Sequence, residues 1–111
     1  MADPSRYCMV LTTCPTQEEA REIASLLIRG HLAACVQITG ITSFYEWKGT
    51  VSTGSEHLLL IKARADRYGD IESFILRNHS YEVPEIVMIP IERGSASYLG
   101  WIDDMSGQPD I

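Results

Sequence analysis

Apolar residues follow two different spacings along this chain, and each change of spacing predicts a new element. The apolar run of residues 7–11 predicts a buried strand, which Pro15 brings to an end. Thr16 and Glu19 then have the spacing of an N-terminal capping box, and apolar residues follow at helical intervals. This pattern predicts a helix with Gly30 as its C′ glycine.

Residues 32–62 have almost no helical periodicity and are rich in β-branched and aromatic side chains. They predict two long antiparallel strands that turn at Lys48-Gly49. Gly40 and Gly54 interrupt these strands, which predicts a β-bulge at each glycine.

The second half repeats the alternation of helix and strand. Asp66 is the expected cap of a second helix that ends near Asn78. A fourth strand is expected over residues 86–91, with Pro84 suited to a first strand position. Ser95 is the expected start of a short third helix. The apolar faces of the two helices are predicted to comprise Tyr68, Ile71, Phe74 and Ile75, then Tyr98, Leu99, Ile102 and Met105.

The resulting order β-α-β-β-α-β is that of the ferredoxin-like split βαβ fold, an α+β class with an antiparallel sheet, here with an added C-terminal helix. We expect one domain over residues 1–111, with a core of about residues 6–105 and a frayed tail over residues 106–110. Strands this long leave unpaired edges that have to be covered, which favours assembly.

Charge and composition exclude several classes of function. Fifteen acidic residues against nine scattered basic ones give a net charge of −6, which disfavours binding to nucleic acid. No stretch approaches the roughly 20 apolar residues of a membrane span, and residues 1–4 do not resemble a signal peptide. Three cysteines without a C-x-x-C pair indicate free thiols in a reducing compartment, so we expect a cytoplasmic protein with no membrane partner.

Residues 79–86 concentrate titratable side chains at the entrance to the fourth strand. They could form a plain solvated connection or part of a site. Cys14 precedes a helix N-terminus, where the helix dipole lowers the pKa of a thiol, so it is either a reactive thiol or a small packing residue. Cys35 is expected to be buried.

Two aromatic residues, Tyr45 and Trp47, are one residue apart at the hairpin tip and are predicted to share a face. They could line a pocket or anchor a contact between subunits, and we favour the contact. Lys62 could pair with Glu82 or Glu85, hold an anionic group, or be a solvated strand end.

Six segments in order make the chain resemble the CutA family of small trimeric proteins named for divalent-cation tolerance. They are Thr13-Cys14-Pro15, residues 32–36, residues 42–49, residues 58–62, residues 79–86, and Gly94 with residues 98–101. The resemblance implies a homotrimer whose sheets pair across subunits, much like the PII signalling proteins. It also implies a cleft between subunits, in which Tyr45, Trp47, Lys62, Tyr81 and Glu85 are the candidate ligand-binding residues.

Some members of the family are described as copper binders that use a cysteine and two adjacent histidines. In this chain those positions are Thr12, Asn78 and His79, so only His79 matches. Copper sites prefer several nitrogen or sulfur donors, so we expect at most weak binding of Cu(II) or another divalent metal.

Two departures from the family pattern affect the backbone. Ser80 replaces a common proline and is expected to loosen its loop, and residues 36–41 are one residue short, which a bulge near Gly40 would absorb. The usual enzyme motifs are absent. The leading hypothesis is a non-enzymatic homotrimer that binds a metal, a small anionic ligand or a protein partner. The alternatives are a PII-like interaction module and a small hydrolase that uses Cys14 or His79.

Overall fold

The computed structural model of the protein describes residues 6–106, and its elements follow the predicted order. A 3-10 turn, Ala65–Arg67, leads directly into the second helix. The elements are β1 (Tyr7–Cys14), α1 (Gln17–Arg29), β2 (Cys35–Trp47), β3 (Thr50–Arg64), α2 (Tyr68–Asn78), β4 (Val87–Pro90) and α3 (Ala96–Met105). Ser106, the first residue of the predicted frayed tail, is buried, and residues 107–110 lie outside the described range.

The four strands form one antiparallel sheet in the order β2-β3-β1-β4, which confirms the ferredoxin-like α+β prediction. Helices α1 and α2 pack on one face of this sheet and enclose the main core. Alternation along β1 and β3 sends every second side chain into this core. The buried core residues are Cys8, Val10, Cys14, Ala20, Ile23, Leu27, Ala33, Leu59, Ile61, Ala63, Ile71 and Ile75.

The opposite face of the sheet, here called the open face, is covered by α3 at one end only. There Ile102 packs against Tyr7 and Ala34. Further along this face, strand pairing places Leu11 beside Val87, and Val87 remains exposed. Met9 and Ile89 form the neighbouring pair, with Ile89 also exposed. The open face therefore presents apolar side chains that the described chain does not cover.

Strands β2 and β3 pair without interruption from Cys35 opposite Lys62 to Trp47 opposite Thr50. The predicted bulges at Gly40 and Gly54 are therefore wrong, because both glycines keep the regular register. The short spacing around Gly40 needs no bulge. The predicted turn is confirmed: Lys48 and Gly49 both have positive φ, 51° and 80°, as a type I′ hairpin turn requires.

The β2–β3 hairpin extends well beyond the rest of the sheet. Strand β1 pairs only with residues 57–64 of β3, so residues 41–47 and 50–56 form a two-stranded extension, here called the ribbon. Seven residues of antiparallel strand span about 24 Å, and the whole molecule is 48 Å long. Along the ribbon, neither strand has a second backbone partner within residues 6–106.

The ends of α1 refine the predicted capping signals. At the start, Thr16 Oγ1 accepts a hydrogen bond from the Glu19 N–H at 3.1 Å, as predicted. At the end, Gly30 has φ −86° and is the C-cap rather than the C′ residue. The left-handed position belongs to His31, with φ 59°. The Leu32 N–H donates to the Leu27 carbonyl, which completes a Schellman motif.

Two further expectations about element ends are wrong. Asp66 does not cap α2, since it lies in the 3-10 turn and its carboxylate accepts from the Arg64 guanidinium. Strand β4 begins at Val87, so Pro84 lies in the preceding loop. Only Ile102 of the predicted apolar face of α3 is fully buried. The Ser95 cap is confirmed, because its hydroxyl accepts from the Tyr98 N–H.

Within residues 6–106, none of the helices combines the length and apolar composition that crossing a bilayer would require.

The left-handed conformation of His31 yields a stability prediction. Glycine adopts this conformation without the steric penalty of a Cβ atom, so His31→Gly should raise the free energy of unfolding by about 0.5–1 kcal/mol. Thermal melts at fixed protein concentration measure the change. The control is His31→Ala, which removes the imidazole but keeps the Cβ atom and should not stabilise. Equal stabilisation by both substitutions would contradict this explanation.

Candidate functional site

The loop between α2 and β4 is held against the start of α1. The Glu19 carboxylate accepts hydrogen bonds from the Ser80 N–H at 2.9 Å and from the Ser80 hydroxyl at 2.7 Å. A proline could not supply this N–H. Ser80 was expected to loosen the loop, but its two hydrogen bonds attach the loop to Glu19 of α1.

The side chain of His79 is wholly buried, so this residue does not belong to a plain solvated connection. Its Nδ1 accepts a hydrogen bond from the Tyr81 N–H at 3.0 Å. Its Nε2 lies 2.6 Å from the Thr13 carbonyl oxygen, to which it donates. These two contacts fit the neutral imidazole with its proton on Nε2. Both ring nitrogens are therefore engaged in tying the loop to the end of β1.

Cys14 lies beside this imidazole, with Sγ 3.8 Å from His79 Nε2. The thiol is completely buried, and burial, together with the charges of Glu19 and Glu56, raises its pKa to about 12. Of the two alternatives for Cys14, its burial and raised pKa favour the small packing residue over the reactive thiol. Cys35, expected to be buried, is only half-buried because it lies on the edge strand β2.

The family's copper positions do not form a suitable donor set in this chain. β1 continues to Cys14, so Thr12 and Cys14 share the core face, and the buried Thr12 hydroxyl has no partner within residues 6–106. The Asn78 amide donates to the Phe74 carbonyl. Cys14, Glu19 and His79 have potential ligand atoms within 4.8 Å of one another. However, Cys14 lies nearest Nε2 and Glu19 nearest Nδ1, on different edges of the ring.

Glu56, which was not among the predicted site residues, connects the loop to the ribbon. The Ser43 hydroxyl donates to Oε1 at 2.7 Å, and the Tyr81 hydroxyl donates to Oε2 at 2.8 Å. These hydrogen bonds, from Ser43 first, hold the pKa of Glu56 below its usual value despite partial burial. Burial and the bond to Glu56 raise the pKa of Tyr81 to about 12. The predicted hairpin turn contained a signal for this contact. It pairs Ser43 with Gly54, which makes Ser43 the diagonal neighbour of Glu56.

The loop and the ribbon enclose a cleft of about 600 Å³ on the open face. Its lining brings together four of the five predicted ligand-binding residues. The residues that line it are Thr13, Tyr45, Trp47, Gly54, Ser55, Glu56, Tyr81, Val83 and Glu85.

The fifth predicted residue, Lys62, does not line this cleft. It lies six residues from Glu56 along β3, about 20 Å in an extended strand. Its Nζ donates to Gln37 Oε1 at 2.5 Å, and within residues 6–106 it forms no ion pair with Glu82 or Glu85.

Comparison with known proteins agrees with the fold and with the sequence motifs. The family model described as CutA1 divalent ion tolerance protein matches residues 8–105. The chain belongs to the CutA family. Among similar CutA proteins, mouse protein CutA is 38% identical over 104 residues, which cover 93% of this chain and 59% of the mouse protein. The divalent-cation tolerance protein CutA of Thermus thermophilus is 42% identical over 100 residues, covering 89% and 97% of the two chains.

A solved structure supports the same assignment. The structure named as the periplasmic divalent cation tolerance protein CutA from Archaeoglobus fulgidus matches with a TM-score of 0.87 and 37% identity. The match covers 89% of this chain and 97% of that one. The chain spans less than two thirds of the length of the mouse, human and Xenopus CutA relatives.

The Tyr81–Glu56 hydrogen bond should make a measurable contribution to stability. Tyr81→Phe removes a donor to a carboxylate and should lower the free energy of unfolding by about 1 kcal/mol near neutral pH. The contribution of Glu56, whose folded pKa is lowered, is present above its unfolded pKa and is lost as the pH falls through the folded pKa. The difference between wild type and variant should therefore shrink below about pH 4.

Thermal melts from pH 3 to pH 8 measure this difference. Tyr98→Phe is the matched control, because the Tyr98 hydroxyl has no hydrogen bond within the described residues. A Tyr81→Phe difference that stayed constant down to pH 3 would show that Glu56 is not the partner that matters.

Proposed function

We propose that this chain acts as a non-enzymatic CutA homotrimer in the cytoplasm, where it contributes to tolerance of divalent cations, and that the cleft is its small-ligand site. The ribbon is the observation that best supports the proposed trimer. An isolated two-stranded hairpin is marginal in water, and its unpaired edges invite pairing with another chain. Three copies that pair their sheets would cover these edges.

The apolar side chains support assembly as well. Phe44, Trp47 and Val51 on the ribbon are more than 60% exposed, and Val87 and Ile89 are exposed on β4. Soluble monomers rarely present so many large apolar side chains on neighbouring elements. Burial between subunits would account for their presence.

The surroundings of Cys14 and His79 argue against the hydrolase alternative. A nucleophilic thiol needs access to substrate and a lowered pKa, whereas the thiol of Cys14 is buried and its pKa is raised. The proton on His79 Nε2 points to the Thr13 carbonyl, so the imidazole is not placed to accept one from the thiol. This pair serves packing rather than nucleophilic catalysis.

Tolerance of divalent cations would then not depend on a dedicated copper site at the family position. Thr12 offers a hydroxyl where a thiolate is needed, and Asn78 offers an amide where an imidazole is needed. Cytoplasmic location rests on the three free cysteines.

The mass of the protein in solution tests the assembly. Light scattering across micromolar concentrations should give three chains of 12.4 kDa, about 37 kDa in all, at every concentration. A monomer mass would overturn the proposal.

Trp47→Ala should weaken the trimer by about 3 kcal/mol, because an aromatic ring at the centre of an interface is a typical binding hot spot. Sedimentation at falling concentration measures the loss. The matched control is Leu76→Ala on the outer side of α2, where the side chain is 56% exposed compared with 61% for Trp47. The control should leave assembly unchanged. Equal effects of both substitutions on assembly would show that Trp47 does not lie in the interface.

The affinity for Cu(II) should depend on which side chains occupy positions 12, 78 and 79. Wild type should bind Cu(II) no more tightly than micromolar, about −8 kcal/mol, because both ring nitrogens of His79 already form hydrogen bonds. The double substitution Thr12→Cys with Asn78→His restores the family donors and should bind Cu(II) at least about tenfold more tightly. Calorimetry on tag-free protein measures each affinity, with Cys35→Ala as the unaffected control. Nanomolar binding by wild type would contradict the proposal.

A further inference from the structure

Lys62 is an isolated base on the open face of the sheet. Its neighbours along β3, Ile61 and Ala63, are buried in the main core, so alternation sends the Lys62 side chain to the opposite face. Its Nζ donates to the neutral side chain of Gln37, and within residues 6–106 it forms no ion pair. On β1 its pairing neighbour is the apolar Met9. Covering this face with another copy would be costly unless the charge gained an opposite partner.

The cleft contains two acids that have no basic partner within one chain. Glu56 and Glu85 line it, and neither forms an ion pair among residues 6–106. Lys48 lies at the adjoining turn, with Nζ 5.8 Å from the Trp47 ring centroid, but it pairs with neither acid. Both oxygens of Glu56 already accept hydrogen bonds from neutral hydroxyls. Glu85 is therefore the acid of the cleft whose carboxylate best suits a basic partner.

Lys62 and the cleft lie at different levels of the same open face. Along β3, Lys62 is six residues from Glu56, about 20 Å in an extended strand. Across the sheet it pairs with Met9, which is four residues along β1 from Thr13 of the cleft lining, or about 14 Å. A lysine side chain is too short to bridge these distances within one copy. A second copy against the open face can bring its Lys62 to the level of the cleft, because its sheet need not lie in the same alignment.

From this complementarity of charge we propose that Lys62 of a second copy enters the cleft and forms an ion pair with Glu85, so that two chains complete each ligand site. The inference rests on the proposed homotrimer. In a closed ring of identical chains, each copy gives its Lys62 to one neighbour and receives the Lys62 of the other neighbour, so every pair forms. The pair returns the fifth predicted ligand-binding residue to the cleft. It also favours one alignment of the copies over others, as opposite charges across an interface do.

Carbodiimide coupling tests this contact, because it joins a carboxylate and an amine that touch into an amide bond, and the reagent takes up the water that is lost. The chain has two lysines, so the variant Lys48→Arg leaves Lys62 as the only one. Coupling should give products of two and three chains on a denaturing gel. Mass spectrometry after trypsin digestion should show residues 49–64 joined to residues 78–93 through Lys62 and Glu85.

The matched control for coupling adds Lys62→Arg, which keeps the positive charge and removes the amine. This variant should remain trimeric and should lose the product with Glu85. Light scattering before coupling reports the assembly separately. A trimer in which Lys62 couples to a different acid, or to none, would overturn the ion pair and leave the proposed trimer intact. A monomer mass would contradict the trimer itself, and the ion pair with it.

Charge reversal measures how much the pair contributes. Lys62→Glu places acid against acid and should weaken assembly at least about tenfold. Adding Glu85→Lys restores opposite charges and should return the dissociation constant to within about threefold of wild type. The matched control is Arg21→Glu, the same change of charge at an exposed residue of α1, which should leave assembly unchanged. Sedimentation at a fixed urea concentration that partly dissociates wild type measures each constant. A double variant no tighter than Lys62→Glu alone would overturn the proposal.

Discussion

The antiparallel pairing of β2 with β3 beyond the end of β1 is the constraint on which the rest of the structure depends. Its unbroken register carries Tyr45 and Trp47 away from the core and places Ser43 diagonally across from Glu56. The same extension leaves backbone edges without partners in the described chain. One geometric feature therefore forms the wall of the cleft and leaves strand edges of the kind that invite pairing with another chain.

The loop from His79 to Glu85 joins the two faces of the sheet around the end of β1. On the helix side, His79 is fastened to Thr13, and on the open face Tyr81 is fastened to Glu56. His79, the one residue that matches the family's copper positions, thus acts as a structural residue that ties the loop to the end of β1. Its two nitrogens hold the loop that completes the cleft, so His79 shapes the cleft without lining it.

The sequence predicted the order of elements and the hairpin turn, because hydrophobic spacing and Lys48-Gly49 are local signals. It failed where strand pairing or a competing side-chain contact decides between local alternatives. Gly40 kept the regular register because its partner strand is continuous, and Asp66 paired with Arg64 instead of capping a helix. The hairpin register is enough to place Ser43 near Glu56, but the hydrogen bond from Tyr81 could not be predicted, since Tyr81 lies on a loop 25 residues further along the chain.

Hydrogen exchange along the ribbon tests the central claim most directly. In an isolated chain, the amides of residues 41–47 that point away from β3 would face water and exchange rapidly. Pairing with another copy should protect them nearly as well as the amides of residues 57–64 in the centre of the sheet. Strong protection of both sets is the predicted result. Rapid exchange of the outward-pointing β2 amides beside a protected central sheet would contradict the account.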